Sequence, residues 1–237
     1  MTRELYEESA LYGMLFRERT ADVAWYRQLA AARGGPVLEL GVGSGRVALA
    51  LVDDGHEVVG VDRSASMLDA LRARRDGRAI ALHEADMRDV RLDAGRFALV
   101  ICPFNGFAHL HEPADRDAFF ETVRHHLRPD GRFAFDVTIP DPAQLAGGTS
   151  FVPRMEHPRT GAVCRMQEIF RYDGGREVLT ITTELTERAT GDVHRYELAL
   201  RQWHPPQTEQ LLSRCGWTVE SRSAAIGDSL AYVCRVS

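Results

Sequence analysis

Apolar positions along the N-terminal part of the chain follow two periods in turn, that of a helix and that of a buried strand. Over 3–16 and 20–33 the apolar residues recur at helical spacing, which predicts two amphipathic helices. From there to residue 140, short apolar runs alternate with helical patterns, as in βαβ units with a parallel sheet. The runs that we interpret as strands are 37–40, 57–61, 79–82, 97–102 and 132–137.

The period changes in the C-terminal half of the chain. Alternation over 161–203, interrupted by glycine-containing turns, predicts three antiparallel strands inserted into the domain. A helix over 208–215 and strands over 217–221 and 230–236 then return to the sheet. The sequence therefore predicts an α/β fold with a Rossmann-like, seven-stranded, mostly parallel sheet, helices on both faces and a small antiparallel β insertion. We expect a single domain over 1–237.

Composition and charge narrow the classes of function. The formal net charge of the 237 residues is −5, which disfavours a nucleic-acid partner because duplex binding depends on cations that neutralise phosphates. No apolar run approaches the roughly 18–20 residues of a membrane helix, and the acidic N-terminus lacks the apolar stretch of a signal peptide. The four cysteines are scattered, without histidines at metal-ligand spacing. We therefore expect reduced thiols, no metal site and a cytoplasmic protein.

A glycine-rich turn follows the first predicted strand and precedes a helix. Its glycines, Gly41, Gly43 and Gly45, let the backbone pass close beneath a ligand, and the helix presents free N–H groups at its start. Asp62 ends the second predicted strand about 20 residues further on, where an acid accepts hydrogen bonds from ribose hydroxyls. The dinucleotide fingerprint G-x-G-x-x-G/A needs Gly or Ala at its third position, which is Arg46 here. The spacing therefore argues against a nicotinamide dinucleotide.

The segment 39–45 reads E-x-G-x-G-x-G and resembles the E/D-x-G-x-G-x-G motif of class I S-adenosylmethionine-dependent methyltransferases. The resemblance extends over essentially the whole chain. It implies S-adenosyl-L-methionine as the cofactor and S-adenosyl-L-homocysteine as the product. It also implies that Glu39 holds the methionine end, Asp62 the ribose and Asp86 the adenine amino group, with two methionines beside the ring. The cofactor-binding residues that the resemblance implies are Tyr12, Glu39, Gly41, Gly43, Gly45, Asp62, Arg63, Met67, Asp86, Met87 and Phe104.

The end of the fourth predicted strand, 102–110, resembles the segment that positions the acceptor in small-molecule methyltransferases, and is most similar to that of the nucleotide-amino-sugar N-methyltransferases. It lacks the N/D-P-P-Y motif of many nucleic-acid amino-methyltransferases, so we expect a small-molecule acceptor. His109 is the candidate general base, because the ordinary pKa of histidine suits proton removal near neutral pH. A structural histidine is the alternative. Asn105 is the second catalytic candidate, to orient the acceptor or hold the methionine end of the cofactor.

The resemblance implies roles for the segments outside the central sheet. Residues 1–35 would form cap helices over the cofactor, from which Tyr12 also lines the acceptor pocket. Residues 150–203 would form an antiparallel β lid. Phe107 and Trp203 are the other predicted contacts of the acceptor.

These observations favour a methyltransferase that acts on N or O of a metabolite or natural-product intermediate. We expect a monomer or a homodimer with no nucleic-acid or membrane partner. Two alternatives stay open, an NAD(P)-dependent oxidoreductase and a non-catalytic module that binds S-adenosylmethionine. The identity of the acceptor and the choice between N and O are not determined by the sequence.

Overall fold

Two units with separate hydrophobic cores divide the chain, of which the computed structural model describes residues 2–92 and 97–237. The large unit comprises Arg19–Ile139 and Trp203–Ser237. The small unit comprises the N-terminal segment up to Glu18 together with Pro140–Gln202. The sequence predicted one domain, whereas the structure brings the N-terminal segment and the insertion together around a core of their own.

The elements alternate along the chain as the periodicity predicted, and their bounds are as follows. The strands are β1 (Thr2–Glu4), β2 (Val37–Leu40), β3 (Val58–Asp62), β4 (Ala81–Glu84), β5 (Phe97–Cys102), β6 (Leu127–Thr138), β7 (Gly148–Glu156), β8 (Val163–Asp173), β9 (Val178–Glu187), β10 (Val193–Arg201), β11 (Trp217–Ile226) and β12 (Ser229–Val236). The helices are α1 (Ser9–Leu15), α2 (Ala21–Arg33), α3 (Ala48–Asp53), α4 (Ala65–Arg74), α5 (Pro113–His126), α6 (Pro142–Leu145) and α7 (Pro205–Arg214), with 3-10 turns at Leu5–Glu7 and Gly106–His109.

A seven-stranded sheet in the order β11-β12-β6-β5-β2-β3-β4 forms the framework of the large unit. The pairings from β6 across to β4 are parallel. Strand β12 is antiparallel to β6, and β11 is antiparallel to β12, so the sheet is mixed. The predicted α/β class is confirmed. Strands β2 and β5 are buried at every position, which explains why they read as continuous apolar runs in the sequence.

Helices that flank the glycine-rich turn supply much of the large unit's core. From α2, Tyr26 and Ala30 pack in one buried cluster with Leu51 of α3 and Leu71 of α4. Each fully buried aliphatic or aromatic side chain of this kind stabilises the fold by about 1.5–3 kcal/mol. The cluster therefore holds β2, the glycine-rich turn, α3 and α4 in a fixed arrangement.

The small unit is a five-stranded sheet in the order β1-β10-β9-β8-β7. Its antiparallel pairings run from β10 through β7, while β1 joins parallel to β10. The sequence predicted three strands here. It missed β7, which is exposed at nearly every position and so shows no alternation, and β1, which is only three residues long.

The N-terminal segment differs from the pair of cap helices that the sequence predicted. Its first elements are β1 and a 3-10 turn, and only then does α1 begin at Ser9. Leu5 and Leu11 are buried with Met166 and Tyr196 in the core of the small unit, whereas α2 belongs to the large unit. Periodicity alone gave both segments the same amphipathic pattern and did not reveal that they serve different cores.

Among the described residues, no helix has the length and apolar character needed to cross a membrane.

Candidate functional site

The carboxyl ends of β2, β3 and β5 meet at one edge of the large unit's sheet. Glu39 of β2 pairs in register with Gly60 of β3 and Ile101 of β5. Strand β2 lies between β3, which follows it in the chain, and β5, from which the chain continues toward the other side. A reversal of strand order of this kind opens a crevice in which ligands of α/β proteins bind.

The glycine-rich turn lines this crevice with open backbone. Gly41, Gly43 and Gly45 have φ of +77°, +53° and +81°, in the left-handed region that favours glycine. A Cβ added at Gly41 or Gly43 would have no atom within 4 Å, while one at Gly45 would lie 2.2 Å from Leu71 Cδ1. The first two glycines thus leave space above the turn, and the third permits close packing against α4.

Asp62, at the end of β3, is fixed by two backbone hydrogen bonds. Its Oδ2 accepts from the Gly43 N–H at 2.7 Å and its Oδ1 from the Ser64 N–H at 2.8 Å. Burial raises the pKa of Asp62, and the two N–H donors oppose that rise. Each carboxylate oxygen keeps a second lone pair, so the side chain can still accept hydrogen bonds from a pair of vicinal hydroxyls.

Glu39 is the buried acid of the site. Its side chain is 2% exposed, and Oε2 has no hydrogen-bond partner among the described residues. Burial raises the pKa of Glu39 well above its usual range, although the Arg46 guanidinium and a hydrogen bond from the Ala48 N–H favour the charged form. A buried carboxylate oxygen without a partner is costly in a folded protein, and an ammonium or hydroxyl donor of a ligand would satisfy it.

Arg46 ties the turn to the start of α2. Its two terminal nitrogens donate to the two oxygens of the buried Asp22, each at 2.6 Å, and one of them also donates to the Arg19 carbonyl at 3.0 Å. A bidentate pair of this kind is geometrically specific. The residue that the sequence used only to argue against a dinucleotide therefore has a positive structural role.

A strained turn follows β5. Phe104 and Asn105 have φ of +46° and +61°, two consecutive non-glycine residues in the left-handed region. The Phe104 N–H donates to Asp136 Oδ1 at 2.8 Å, and the Asn105 amide exchanges two 2.8 Å hydrogen bonds with Thr138. The Arg19 guanidinium carbon lies 4.3 Å from the centroid of the Phe104 ring. Because Thr138 engages both polar atoms of the Asn105 side chain, the structure gives that residue a supporting role, and its contact with an acceptor stays a prediction.

His109 ends the 3-10 turn that begins at Gly106 and is half-buried. Burial lowers its pKa to about 4, with further contributions from Arg63 and His111. The ring is therefore neutral at physiological pH. Its role as a base stays a prediction.

The predicted adenine-side residues fall into a different pattern of contacts. Asp86 accepts a bidentate pair from Arg88, at 2.9 Å from Nε and 2.7 Å from Nη2, and this pair lowers its pKa. Arg88 also donates to Asp115 at 2.6 Å. Met87 is half-buried, whereas Met67 is fully buried in the large unit. The adenine-binding roles of Asp86, Met67 and Met87 therefore stay predictions. Arg63 is exposed, and its charge acts on Asp62, Asp86 and His109.

Two of the predicted acceptor contacts lie in the aromatic core. The Phe107 ring is fully buried among aromatic rings, 5.8 Å from that of Phe119 and 4.9 Å from that of Phe135 between centroids. Trp203 is 5% exposed and packs 5.3 Å from Phe107. Large aromatic rings gain stability from such burial, and the contact of these two residues with an acceptor stays a prediction. Tyr12 lies in the small unit, where its ring contacts Tyr6 and Phe16.

Comparison with known proteins is consistent with this geometry. Residues 37–131, from β2 into β6, match the family model described as a methyltransferase domain. That match begins at the strand bearing Glu39 and contains the glycine turn, Asp62 and the strained turn. This segment is similar to methyltransferase domains.

Several proteins to which the chain is similar are methyltransferases by name. The chain is 36% identical over 126 residues to the cypemycin N-terminal methyltransferase of a Streptomyces species, covering 53% of this chain and 51% of that protein. It spans about half the length of the curated relatives that it matches. The structure is similar to that of the CcbJ methyltransferase from Streptomyces caelestis, with a TM-score of 0.80 and 24% identity over 99% of this chain and 98% of that one. It is also similar to the glycopeptide N-methyltransferase MtfA complexed with S-adenosyl-L-homocysteine, with a TM-score of 0.63 and 26% identity over 91% and 87% of the two chains. The resemblance to class I S-adenosylmethionine-dependent methyltransferases is confirmed.

The residues of the matched segment fit S-adenosylmethionine, the cofactor that the methyltransferase family implies. The unpartnered Glu39 oxygen suits the ammonium of a methionine moiety, and Asp62 suits ribose hydroxyls. Open space above Gly41 and Gly43 leaves room for a ligand against the backbone. Among the described residues, no group of three or more His, Cys, Asp or Glu side chains could hold a metal ion.

Sequence reasoning missed Asp136, Tyr26 and Arg19. Arg19 and Tyr26 lie just before and within α2, far in the chain from Asp136 of β6, and the fold brings all three together beneath the strained turn. An aspartate inside the apolar β6 run was the one signal that could have revealed part of this cluster, since a buried charge needs a partner.

Proposed function

We propose that the protein transfers a methyl group from S-adenosylmethionine to a nitrogen or oxygen of a small-molecule metabolite or natural-product intermediate. The single observation that best supports this is the pair of acids on either side of the glycine turn, with Glu39 buried and lacking a partner for Oε2 and Asp62 held by the turn itself. The cypemycin N-terminal methyltransferase and the glycopeptide N-methyltransferase, to which the chain is similar, support an acceptor of the natural-product class.

In this proposal the protein binds and orients rather than activating the reacting carbon. When bound, S-adenosylmethionine supplies a methyl group that its sulfonium already activates. Glu39 accepts from the ammonium and Asp62 from the ribose, while Gly41 and Gly43 allow close approach of the backbone. His109, neutral down to about pH 4 because burial lowers its pKa, receives a proton on a ring nitrogen when the acceptor must lose one.

The remaining features of the proposal concern the surroundings of the site. The sheet is the mostly parallel sheet of the family, with helices on both faces, residues 150–203 serve as the lid, and Tyr12 of the N-terminal segment contacts the cofactor and the acceptor. The protein is cytoplasmic, has no nucleic-acid or membrane partner, and is a monomer or homodimer. Replacing Tyr12 by alanine tests its role. Loss of acceptor turnover or of cofactor affinity supports that role, and loss of neither refutes it.

Calorimetric titration with S-adenosylmethionine, S-adenosylhomocysteine and NADH in parallel tests the cofactor. Micromolar binding of the first two and none of NADH is expected. Arg46 stands where a dinucleotide fold needs a small residue, and the unpartnered Glu39 oxygen suits an ammonium group, which NADH lacks. Binding of NADH alone would refute the proposal in favour of hydride transfer. Cofactor binding without methylation of any amine or hydroxyl acceptor in a broad screen would favour a non-catalytic module.

A further inference from the structure

A buried carboxylate of β6 lies directly beneath the strained turn. Asp136 is fully buried, and its Oδ1 accepts from the Phe104 N–H at 2.8 Å and from the Tyr26 hydroxyl at 2.8 Å. The Asn105 N–H donates to the Asp136 carbonyl at 3.2 Å. One residue of β6 therefore holds both left-handed residues of the turn, one through its side chain and one through its backbone.

The second oxygen of this carboxylate faces a cation and further acids. Asp136 Oδ2 has no hydrogen-bond partner among the described residues, and Arg19 Nη2 forms an ion pair with it at 3.6 Å. Arg19 also donates to Asp228 at 2.7 Å, so its charge is shared. Asp22 from α2 and the Cys102 thiol of β5 act electrostatically on the same carboxyl group.

The packing of the sheet does not require a charge at this position. The neighbours of Asp136 along β6 are Phe135 and Val137, both buried, and a buried carboxylate is expensive unless it is paired. Two consecutive non-glycine residues in the left-handed region cost about 1–3 kcal/mol each and persist only where the surroundings impose them. The turn and the carboxylate beneath it thus explain each other, since the hydrogen bonds of Asp136 impose the strained conformation.

We propose that Asp136, assisted by Tyr26 and Arg19, is a positioning residue that holds the Phe104–Asn105 turn in its left-handed conformation and so sets the shape of the cofactor site. This rests on the proposed function, because the turn matters for binding only if the crevice beside Glu39 holds the cofactor. The link between turn and crevice is Arg46, whose guanidinium carbon lies 5.3 Å from the Phe104 ring centroid.

Protonation gives this arrangement a measurable signature. Burial raises the pKa of Asp136 to about 6, against the opposing hydrogen bonds from Phe104 and Tyr26 and the charge of Arg19. Because the folded-state pKa is raised, stability increases as pH falls through 6, while the neutral carboxyl holds the Phe104 N–H more weakly. Acidification should therefore strengthen the fold and weaken cofactor binding at the same time.

The test compares Asp136→Asn and Tyr26→Phe with Tyr196→Phe as the matched control. Tyr196 is a fully buried tyrosine of the small unit whose hydroxyl accepts from Arg3 at 3.3 Å. The measurements are S-adenosylhomocysteine affinity by calorimetry, amide exchange of Phe104 and Asn105 by NMR without ligand, and Tm.

In D136N the affinity for S-adenosylhomocysteine at pH 7.5 should fall ~10-fold, and amide exchange at Phe104 and Asn105 should become ~10-fold faster, because a charge-assisted hydrogen bond is lost. The Tm of D136N should be equal to that of the wild type or higher. Y26F should show ~3-fold effects, and Y196F should show neither effect. Wild-type affinity should decline more steeply below pH 6 than that of D136N, because Asp136 titrates only in the wild type, whereas Glu39 and Asp62, whose pKa values burial also raises, titrate in both.

Three results would overturn the proposal. They are unchanged affinity and unchanged amide exchange in D136N, an affinity loss that merely follows a fall in Tm, and the same acid-induced decline in D136N as in the wild type. Failure of the wild type to bind S-adenosylhomocysteine would instead refute the proposed function. Amide exchange at the turn would then still report, without any ligand, whether Asp136 holds it.

Discussion

Three glycine-to-alanine variants separate the roles of the glycine-rich turn. Gly41, Gly45 and Gly55 all have positive φ, at +77°, +81° and +87°, so alanine strains the backbone similarly at each position. That strain is about 1–2 kcal/mol per residue. They differ in what the new methyl group meets. A Cβ at Gly41 or Gly55 would have no atom within 4 Å, while at Gly45 it would lie 2.2 Å from Leu71 Cδ1.

The structure sets the relative magnitudes. Leu71 is fully buried, so it must leave its rotamer or displace its neighbours to admit the methyl group at Gly45. Overpacking of this kind costs about 1–3 kcal/mol beyond the strain, which makes G45A about 2–5 kcal/mol less stable than the wild type. Since ~1 kcal/mol shifts Tm by about 2–4 °C in a protein of this size, we expect Tm to fall by ~4–20 °C in G45A and by ~2–8 °C in G41A and G55A.

Cofactor binding should follow the opposite order. The methyl group at Gly41 would occupy the open space above the turn, so G41A should bind S-adenosylhomocysteine at least ~10-fold more weakly, a loss of about 1.4 kcal/mol. In G45A the methyl group points toward Leu71, and affinity measured at 15 °C, where the protein is folded, should stay within ~3-fold. G55A lies in the turn after α3 and should keep full affinity.

Thermal unfolding by circular dichroism and calorimetric titration of the same samples provide both readouts. Equal Tm losses in G41A and G45A would refute the packing argument. Preserved affinity in G41A would show that the space above the turn is not where the cofactor lies.

Three further predictions follow from the site. Glu39→Gln should weaken S-adenosylmethionine binding by ~10–100-fold in calorimetry, because the variant loses a charge-assisted hydrogen bond to the ligand. Its Tm at pH 7 should not fall, because burial already disfavours the charged form of Glu39 and raises its pKa. Unchanged affinity would contradict the ligand role of Glu39. His109→Ala should lower kcat with little change in cofactor affinity. Because the pKa of His109 is about 4, titration of His109 should not change the wild-type rate above pH 5. Unchanged turnover of the variant across pH would exclude a base role. Arg88→Ala should raise the carboxyl pKa of Asp86, which NMR can follow. The variant should lose less than ~1 kcal/mol of stability, because the ion pair is partly exposed. An unchanged Asp86 pKa would contradict the pairing.

The site residues that lie at the ends of consecutive strands could be predicted from the sequence. Glu39, the glycine turn and Asp62 each sit at the end of a strand whose apolar run is visible in the chain. Parallel strands end at one edge of their sheet, so the meeting of these residues follows from the strand order that βαβ connections favour. The α/β class followed for the same reason, since a period of 2 or 3.6 is a property of each segment by itself.

The rest was decided by tertiary packing. Phe107 and Trp203 had the composition of a ligand pocket but lie in the aromatic core, because burial depends on which surfaces the fold brings against them. The division of the N-terminal segments between two cores is likewise absent from their periodicity.

The network beneath the strained turn shows the limit most clearly. Tyr26 and Asp136 lie 110 positions apart in the chain, yet their side chains share a hydrogen bond in the interior. No local pattern encodes such a partnership, because a buried polar group is satisfied by whichever donor the folded chain places beside it. The sequence by itself determined most of the secondary structure, the glycine-rich turn and the two acids beside it. The folded chain decided which residues hold that site in shape.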